Sequence, residues 1–481
     1  MQEQEKHGHK DLVRAFGLPA AVILFVSSII GSGVYKKVAP MSLELESPKL
    51  VLLAWVLAGV VTLFGVLTTT EIGSMITESG GPYAYFKKIY GKIFAYYYGW
   101  SSFSVIQSAS IASISYVFSQ SVNAVVELPR LSPAWEAWSI LGIFTPFANL
   151  GVKVVAVALI VTLVAINYRG VEHGGWVSKV ITVLVVSSLA LIVLLGIAFG
   201  GGSMDNVTQA AASFPPETFS GRFGIVGPMF AAMLAAFWAY EGWLNIGFIG
   251  DEVKNPQRTI PLALTIGILI IIGTYLAVNF TYLYVFPIDE MIALAQNTNT
   301  IAAVAVVQKL FGDPGLIFIS LLIIITTLGC TNATILTAAR IYFAMARDGF
   351  FSQRAARIHP TFRTPGNALL MQMVWSSILV FSGSFDQLTD MLIFASFIFY
   401  GSIAFGVFVL RRKMPHAERP YKAFGYPVVP ALFVLFCAAL VVITIFQRPR
   451  EAILGLSLIA LGTVPLLYWR WKYGKEVNSG R

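Results

Sequence analysis

The chain has 481 residues, of which 57% are hydrophobic and only 12% are charged, and its formal net charge is +9. Soluble domains carry roughly 25% charged residues, so this composition, with a mean hydropathy of +0.74, excludes a soluble protein and indicates an integral membrane protein. Positive charge collects on one side of membrane spans, so we expect the lipid bilayer, and no nucleic acid, as a partner.

Apolar stretches of about 20 residues, bounded by charged or turn-forming residues, predict membrane-spanning helices. Twelve such stretches occur, near residues 15–40, 50–76, 93–126, 152–168, 176–200, 223–250, 259–287, 315–346, 367–383, 388–410, 427–446 and 452–470. The sequence therefore predicts an all-α membrane protein with twelve transmembrane helices.

Lysine and arginine are concentrated in the two tails and in every second loop between the predicted spans. Basic residues mark the cytoplasmic side of a membrane protein. We therefore expect a multi-pass protein of the cytoplasmic membrane, with cytoplasmic tails at 1–14 and 471–481. The exceptions on the opposite side, at or near the ends of predicted spans, include Lys36, Lys37, Lys49, Arg448 and Arg450.

Small residues interrupt the first and sixth predicted spans near their middles. The first span contains Gly31, Ser32 and Gly33, and the sixth contains the segment "WAYEGW" at 238–243. An interior glycine costs a helix about 1 kcal/mol relative to alanine. Paired interruptions at matching positions of inverted halves indicate the binding site of a secondary transporter.

The two interrupted spans also begin alike, with Phe-Gly at Phe16 and at Phe223, 207 residues later. Five predicted spans separate these starting points, which is an odd number, so the second copy would enter the membrane in the opposite direction. The predicted organisation is one inverted repeat over 15–200, a second over 223–410, and two further spans over 427–470.

Unwinding at mid-membrane frees backbone groups that hydrocarbon cannot satisfy. The amides freed at the first interruption, beside a helix N-terminus, suit a carboxylate. The carbonyls freed at the second interruption, around Trp238, Ala239 and Glu241, suit an ammonium group. A molecule with both groups is an α-amino acid. The alternative is a helix-packing interface of small residues, of the GxxxG kind.

Five motifs in order resemble the amino acid–polyamine–organocation superfamily, in particular prokaryotic homologues of its L-type amino acid transporter branch. They are "IIGSGVY", "GSMITESGGPYAYFKKIYG", "FWAYEGWLNIGFIGDEVKNPQRTIP", "ARIYFAMARDGFF" and "ERPYKAFGYPVVP". The resemblance implies the leucine-transporter fold, with 5+5 inverted repeats, two additional helices and alternating access around a central site. It also implies sodium-independent amino acid transport, commonly by exchange, without a cofactor.

The resemblance assigns ligand groups residue by residue. The implied carboxylate ligands are Ser28, Ile29, Gly31, Ser32 and Gly33, and the implied amine ligands are Trp238, Ala239 and Glu241. Trp243, and less strongly Tyr240, would form a gate, with packing as the alternative. Apart from the resemblance, Gln107 in span three and Ser396 in span ten are the polar residues that we expect to face the substrate side chain, with hydrogen-bonded packing as the alternative.

Three features depart from the family pattern. Many L-type transporters have glycine where this chain has Glu241. Val185 stands where related transporters often carry a lysine at the sodium position, and Lys179 is the only cation in that span. The loop 127–151 lacks the cysteine that animal members bond to a glycoprotein. We therefore expect no disulfide-linked heavy subunit.

Two acidic residues, Glu71 and Glu78, flank the predicted cytoplasmic end of the second span. Glu71 and Glu78 are expected to be solvated or paired with basic loop residues, a pairing worth about 1 kcal/mol or less. Any gate formed with Arg14 would be an additional role for them.

Other classes of function fit less well. The chain has neither HExxH nor GxSxG, so no catalytic constellation or metal site is predicted and the chain is not expected to be an enzyme. A channel would favour filter loops or rings of charge. A proton-coupled amino acid or polyamine symporter, and an amino acid sensor without turnover, remain as alternatives to the exchange of neutral amino acids.

Overall fold

The computed structural model describes residues 17–76, 81–170, 174–199, 201–244, 255–296 and 299–477. The predicted N-terminal tail at 1–14, the residues Arg14 and Glu78, and the last part of the C-terminal tail lie outside the described residues.

Helices make up most of the described chain, and no β-strand occurs in it. The α-helices are α1 (Leu18–Ile29), α2 (Gly33–Lys36), α3 (Val38–Leu45), α4 (Pro48–Met75), α5 (Pro82–Tyr90), α6 (Lys92–Ser101), α7 (Gln107–Val125), α8 (Pro133–Glu136), α9 (Leu150–Tyr168), α10 (Gly174–Phe199), α11 (Met204–Thr208), α12 (Val226–Ala239), α13 (Pro256–Val285), α14 (Ile288–Gln296), α15 (Ala302–Arg347), α16 (Gly366–Ser382), α17 (Phe385–Lys413), α18 (Val428–Gln447), α19 (Pro449–Leu461) and α20 (Thr463–Val477). A π-helical turn, Ser102–Ile106, joins α6 to α7, and α15 is kinked at Gly312, where φ is 63°.

Among the described residues, seven helices are long and apolar enough to cross a membrane; they are Pro48–Met75, Leu150–Tyr168, Arg258–Val285, Ala302–Arg347, Phe385–Lys413, Val428–Gln447 and Pro449–Trp469. Shorter apolar helices cover Leu18–Ile29, Val183–Phe199, Val226–Ala239 and Gly366–Ser382. Helices satisfy their own backbone polar groups, as hydrocarbon requires. The chain is an all-helical integral membrane protein, and the count of twelve spans stays a prediction.

Helices α1 and α12 both end where the sequence predicts interruptions. Helix α1 ends at Ile29, and Ile30 is extended, with φ −67° and ψ 107°, before α2 begins at Gly33. Helix α12 ends at Ala239 and is followed by a turn in which Gly242 has φ 109°. A φ in this range favours glycine, because a Cβ is disfavoured there.

The two interruptions contact each other directly. A Cβ added to Gly33 would lie 2.5 Å from the Cα atom and 2.6 Å from the Cβ atom of Ala239. The hydroxyl of Tyr275, on α13, donates a hydrogen bond to the Ala239 carbonyl at 2.8 Å and lies 3.5 Å from the Ile29 carbonyl. One side chain therefore joins the last carbonyls of α1 and α12.

The structure buries Lys36 and Lys37, which the sequence interpretation had placed in a loop. Lys36 Nζ donates to Gln120 Oε1 at 2.7 Å. Lys37 Nζ donates to Asp386 Oδ1 and to Thr389 Oγ1, both at 2.7 Å. Buried charges require close partners, and these partners lie on α7 and α17. Lys36 therefore holds the short helices after the first interruption against α7, and Lys37 holds them against the start of α17.

Glu71, near the end of α4, is also buried rather than solvated. Its side chain is 1% exposed, and its carboxylate accepts from Arg411 Nε at 3.0 Å and Nη2 at 2.6 Å. Arg419 Nε lies 3.3 Å from the same carboxylate, and the amide of Ala423 donates to it at 2.6 Å. This cluster fastens α4 to the end of α17 and to the loop that follows it.

We predict that Glu71→Gln lowers the free energy of unfolding by about 3 kcal/mol, because it leaves two arginines around a buried site without their counter-charge. Thermal unfolding in detergent measures the effect. The matched control is Glu290→Gln, because the Glu290–Lys309 pair is exposed at the surface, with side chains 50% and 42% exposed, and should change stability by less than about 1 kcal/mol. Equal effects of the two substitutions would contradict the prediction.

Candidate substrate-binding site

A cavity of about 300 Å³ lies where the two interruptions meet, with α7, α15 and α17 as its other walls. Its volume is in the range of small-molecule sites. The predicted site residues that line it are Ser28, Ile29, Gly31, Ser32, Gly33, Gln107, Trp238, Ala239, Glu241 and Ser396. The fold therefore brings together residues of the predicted spans one, three, six and ten.

The wall formed by the first interruption offers hydrogen-bond donors. In the described part of the chain, the amides of Gly31, Ser32 and Gly33 donate to no backbone carbonyl. The hydroxyl of Ser32 is buried without a partner, whereas the hydroxyl of Ser28 donates to the Phe25 carbonyl at 2.7 Å. Consecutive free amides can bind an anionic oxygen, so this wall fits a carboxylate.

The wall formed by the second interruption offers acceptors, but they are partly occupied. The Ala239 carbonyl accepts from the Tyr275 hydroxyl, and the Trp238 carbonyl accepts from the Glu241 amide at 3.3 Å. Each carbonyl has two lone pairs, so each can still accept from an ammonium group. Sequence reasoning missed Tyr275, since a tyrosine in an apolar span is usually a packing residue.

Glu241 supplies the charge of the cavity. It is the only carboxylate or basic side chain among the described lining residues. Its carboxylate accepts a hydrogen bond from the hydroxyl of Tyr400, on α17. A buried charge is costly unless it is paired, so the cavity electrostatically favours a positively charged group such as an ammonium.

Tyr240 and Trp243 are not among the lining residues. The hydroxyl of Tyr240 donates to the Trp55 carbonyl at 3.1 Å, and its ring packs against Tyr275. Tyr240 therefore contacts α4 and α13, because the turn after α12 directs it there, and its role as a gate stays a prediction. Trp243 lies behind Tyr400, with ring centroids 4.8 Å apart. Its role as a gate stays a prediction.

Helix α15 contributes polar residues that sequence reasoning did not single out. Cys330, Thr334 and Thr337 line the cavity. The threonine hydroxyls donate to carbonyls one turn earlier, at 2.9 Å each, so their lone pairs remain available to a ligand. In the sequence, these lining residues could have been found from the run "CTNATILT", which places small polar residues inside an apolar span.

Residues that commonly bind metal ions do not cluster in the described ranges. No group of three or more histidine, cysteine or acidic residues there could hold a metal ion. Cys330 and Cys437 are both free.

Known proteins resemble this chain over nearly its whole length. The serine/threonine exchanger SteT of Bacillus subtilis (strain 168) is 30% identical over 460 residues, covering 95% of this chain and 97% of that protein. The human b(0,+)-type amino acid transporter 1 is 29% identical over 470 residues, covering 96% and 89%. The human cystine/glutamate transporter is 26% identical over 457 residues, covering 95% and 85%.

A model of the family described as amino acid permease matches residues 16–467. This range includes both interruptions and every wall of the cavity, so the match extends over the whole candidate site. The chain therefore belongs to the amino acid permease family, a family of membrane transporters rather than enzymes.

Proposed function

We propose that this protein moves α-amino acids across the cytoplasmic membrane by alternating access, as a sodium-independent exchanger of neutral amino acids. The observation that carries the proposal is the meeting of two interrupted helices at one cavity. One wall supplies free amides for a carboxylate, and the other supplies carbonyl lone pairs and a carboxylate for an ammonium group.

The names of the relatives support exchange of amino acids. One is a serine/threonine exchanger, and others are amino acid transporters. This chain covers 97% of the length of the exchanger, so the similarity includes the parts that form the cavity. Transport of amino acids is thus the function that both the site and the similarity favour.

The proposed architecture has twelve spans, with inverted repeats over 15–200 and 223–410, two further spans over 427–470, and both termini in the cytoplasm. The matching positions of the two helix interruptions support the repeat. The concentration of arginine and lysine in alternate loops supports the orientation. Alternating access would then occur by movement of one set of helices around the shared cavity.

The ligand assignments follow the walls of the cavity. We assign the substrate carboxylate to Ser28, Ile29, Gly31, Ser32 and Gly33, and the amine to Trp238, Ala239 and Glu241. We also propose that the protein acts without a disulfide-linked heavy subunit, since Cys330 and Cys437 lie inside helices α15 and α18.

The second candidate function is proton-coupled amino acid or polyamine symport. The observation in its favour is Glu241, an acidic residue placed in the cavity. A proton carried by this side chain would travel with the substrate. The two candidates differ in whether a proton gradient drives uptake.

We predict that purified protein in liposomes takes up labelled neutral amino acids against an unlabelled internal pool, and does so equally when choline replaces sodium. Esterified and N-acetylated amino acids should neither compete nor be carried, because backbone groups bind both the carboxylate and the amine. Uptake measured with and without an internal pool separates exchange from uniport.

Three results of this experiment would contradict the proposal. Strict sodium dependence would refute the sodium-independent mechanism. This result bears directly on the proposal, because the chain has Val185 where related transporters often carry a lysine at the sodium position. Binding without any flux would identify a sensor. Competition by decarboxylated amines as strong as that of their parent amino acids would shift the substrate class to amines or polyamines.

Gly31 and Gly33 give a matched pair of variants. At Gly33 a Cβ would collide with the Ala239 backbone at 2.5 Å, whereas at Gly31 the nearest atoms are the Ile29 carbonyl oxygen at 3.8 Å and Cys330 Sγ at 3.9 Å. We predict that Gly33→Val abolishes uptake in protein that is still inserted. Gly31→Ala should keep the fold and raise KM about tenfold, because its methyl group crowds the carboxylate.

Size-exclusion chromatography and thermal unfolding in detergent check the fold of both glycine variants, and liposome uptake gives their KM. Normal transport by Gly33→Val would refute the assignment of the carboxylate site. A normal KM for Gly31→Ala would show that the carboxylate binds elsewhere.

We predict that Glu241→Gln flattens the pH dependence of uptake, because the cavity then loses its only carboxylate among the described residues. Glu241→Gly should retain exchange of neutral amino acids and shift selectivity toward larger side chains, because it empties space next to Tyr400. Uptake over a pH series under the same imposed gradient tests both variants. An unchanged profile in the glutamine variant would reduce Glu241 to a structural hydrogen-bonding residue.

A further inference from the structure

Span three contains an irregularity beside the cavity, the π-helical turn Ser102–Ile106. The amide of Gln107 donates to the Ser102 carbonyl five residues earlier, in place of the α-helical partner four residues earlier. Such a turn inserts one residue into a helix, and π-bulges are rare and often located at functional sites.

Side chains hold the π-turn in place. The hydroxyl of Ser108 donates to the Phe103 carbonyl at 2.6 Å. Trp375 Nε1, on α16, donates to the Ser104 carbonyl at 2.8 Å. The hydroxyl of Tyr342, on α15, donates to the Ser102 carbonyl at 3.3 Å. Three consecutive carbonyls therefore receive side-chain donors, two of which come from neighbouring helices.

The π-turn determines which face of α7 meets the cavity. The residues of α7 that line the cavity are Gln107, Ser110 and Ile114. They lie on one face of the helix, at helical spacing. One residue corresponds to about 100° of rotation in an α-helix. If the segment were a regular α-helix, Gln107 would be rotated about the helix axis by this angle and would turn away from the cavity. Its carboxamide makes no hydrogen bond within the described part of the chain, so its donors and acceptor are available.

We infer that the π-turn directs Gln107 at the side chain of the substrate, that Trp375 and Tyr342 are positioning residues that hold the turn, and that the site selects amino acids with uncharged polar side chains. This inference rests on the proposed function. A carboxamide both donates and accepts. Ser110 and Thr334, which also line the cavity, add hydroxyl groups for the same side chain.

Threonine and valine are nearly isosteric and differ in one hydroxyl group, so their ratio of uptake efficiencies isolates the polar contact. A site built to hydrogen-bond a hydroxyl rejects the analogue that lacks it, because its own polar groups are left unpaired. We expect the wild type to favour threonine. Gln107→Leu should lower the threonine-to-valine ratio by about tenfold, mainly by raising KM for threonine.

The positioning residues are tested by removing only their donors. Trp375→Phe and Tyr342→Phe should each lower the same ratio by about threefold, through KM more than maximal rate, because Gln107 is less well held. In the Gln107→Leu background, neither substitution should change the ratio further. The matched control is Tyr90→Phe, which removes a hydroxyl that donates to the Ser402 carbonyl at 2.6 Å, away from the π-turn.

The outcomes are distinguishable. Wild-type liposomes that exchange no amino acid would refute the proposed function itself. Wild-type exchange with a ratio unaffected by Gln107→Leu would overturn the role of Gln107. The positioning role would be overturned if Trp375→Phe or Tyr342→Phe lowered the ratio equally in the Gln107→Leu background. It would also be overturned if Tyr90→Phe lowered the ratio to the same extent. Either result would show a general structural effect.

Discussion

The contact between Gly33 and Ala239 is the constraint on which the rest of the site depends. Two helices can end at mid-membrane only if other groups satisfy their freed backbone atoms, and here Tyr275 joins the last carbonyls of both. The close approach leaves no room for a Cβ at Gly33. It also brings the free amides of one interruption and the carbonyls of the other to the lining of one cavity, as the proposed binding of an α-amino acid requires.

Helix α17 is held by charge at both ends and lines the cavity between them. Near its start, Asp386 binds Lys37, and near its end Arg411 binds Glu71. Breaking either pair would remove a main counter-charge of a buried side chain, Lys37 or Glu71, and weakening the compensation of a buried charge is destabilising. Any movement that opens the cavity at one end must therefore either carry the attached helix along with α17 or exchange the ion pair for water.

The sequence could predict the interruptions, because glycine-containing segments occur at matching positions of two spans, a pairing that a helix-packing interface does not require. It could not predict the environment of Lys37, whose partner Asp386 is 349 residues distant. Nor could it predict the π-turn, since its hydrogen-bond donors Tyr342 and Trp375 come from other helices. The orientation of Tyr240 depended on how the chain turns after α12, which residue spacing alone does not determine.

The position of Glu241 connects substrate selectivity with proton coupling. A zwitterionic amino acid carries no net charge, so in the proposed binding mode its ammonium would pair with Glu241 and the loaded site would keep one net negative charge. The backbone amides and the Ser32 hydroxyl of the first interruption would stabilise the substrate carboxylate. A proton on Glu241 would neutralise the loaded site, and the Tyr400 hydroxyl would lose its charged acceptor. Because Tyr400 lies on α17, this change reaches the helix that is fastened at both ends. Protonation and movement of α17 would then be linked, and whether the proton travels with the substrate decides between exchange and symport.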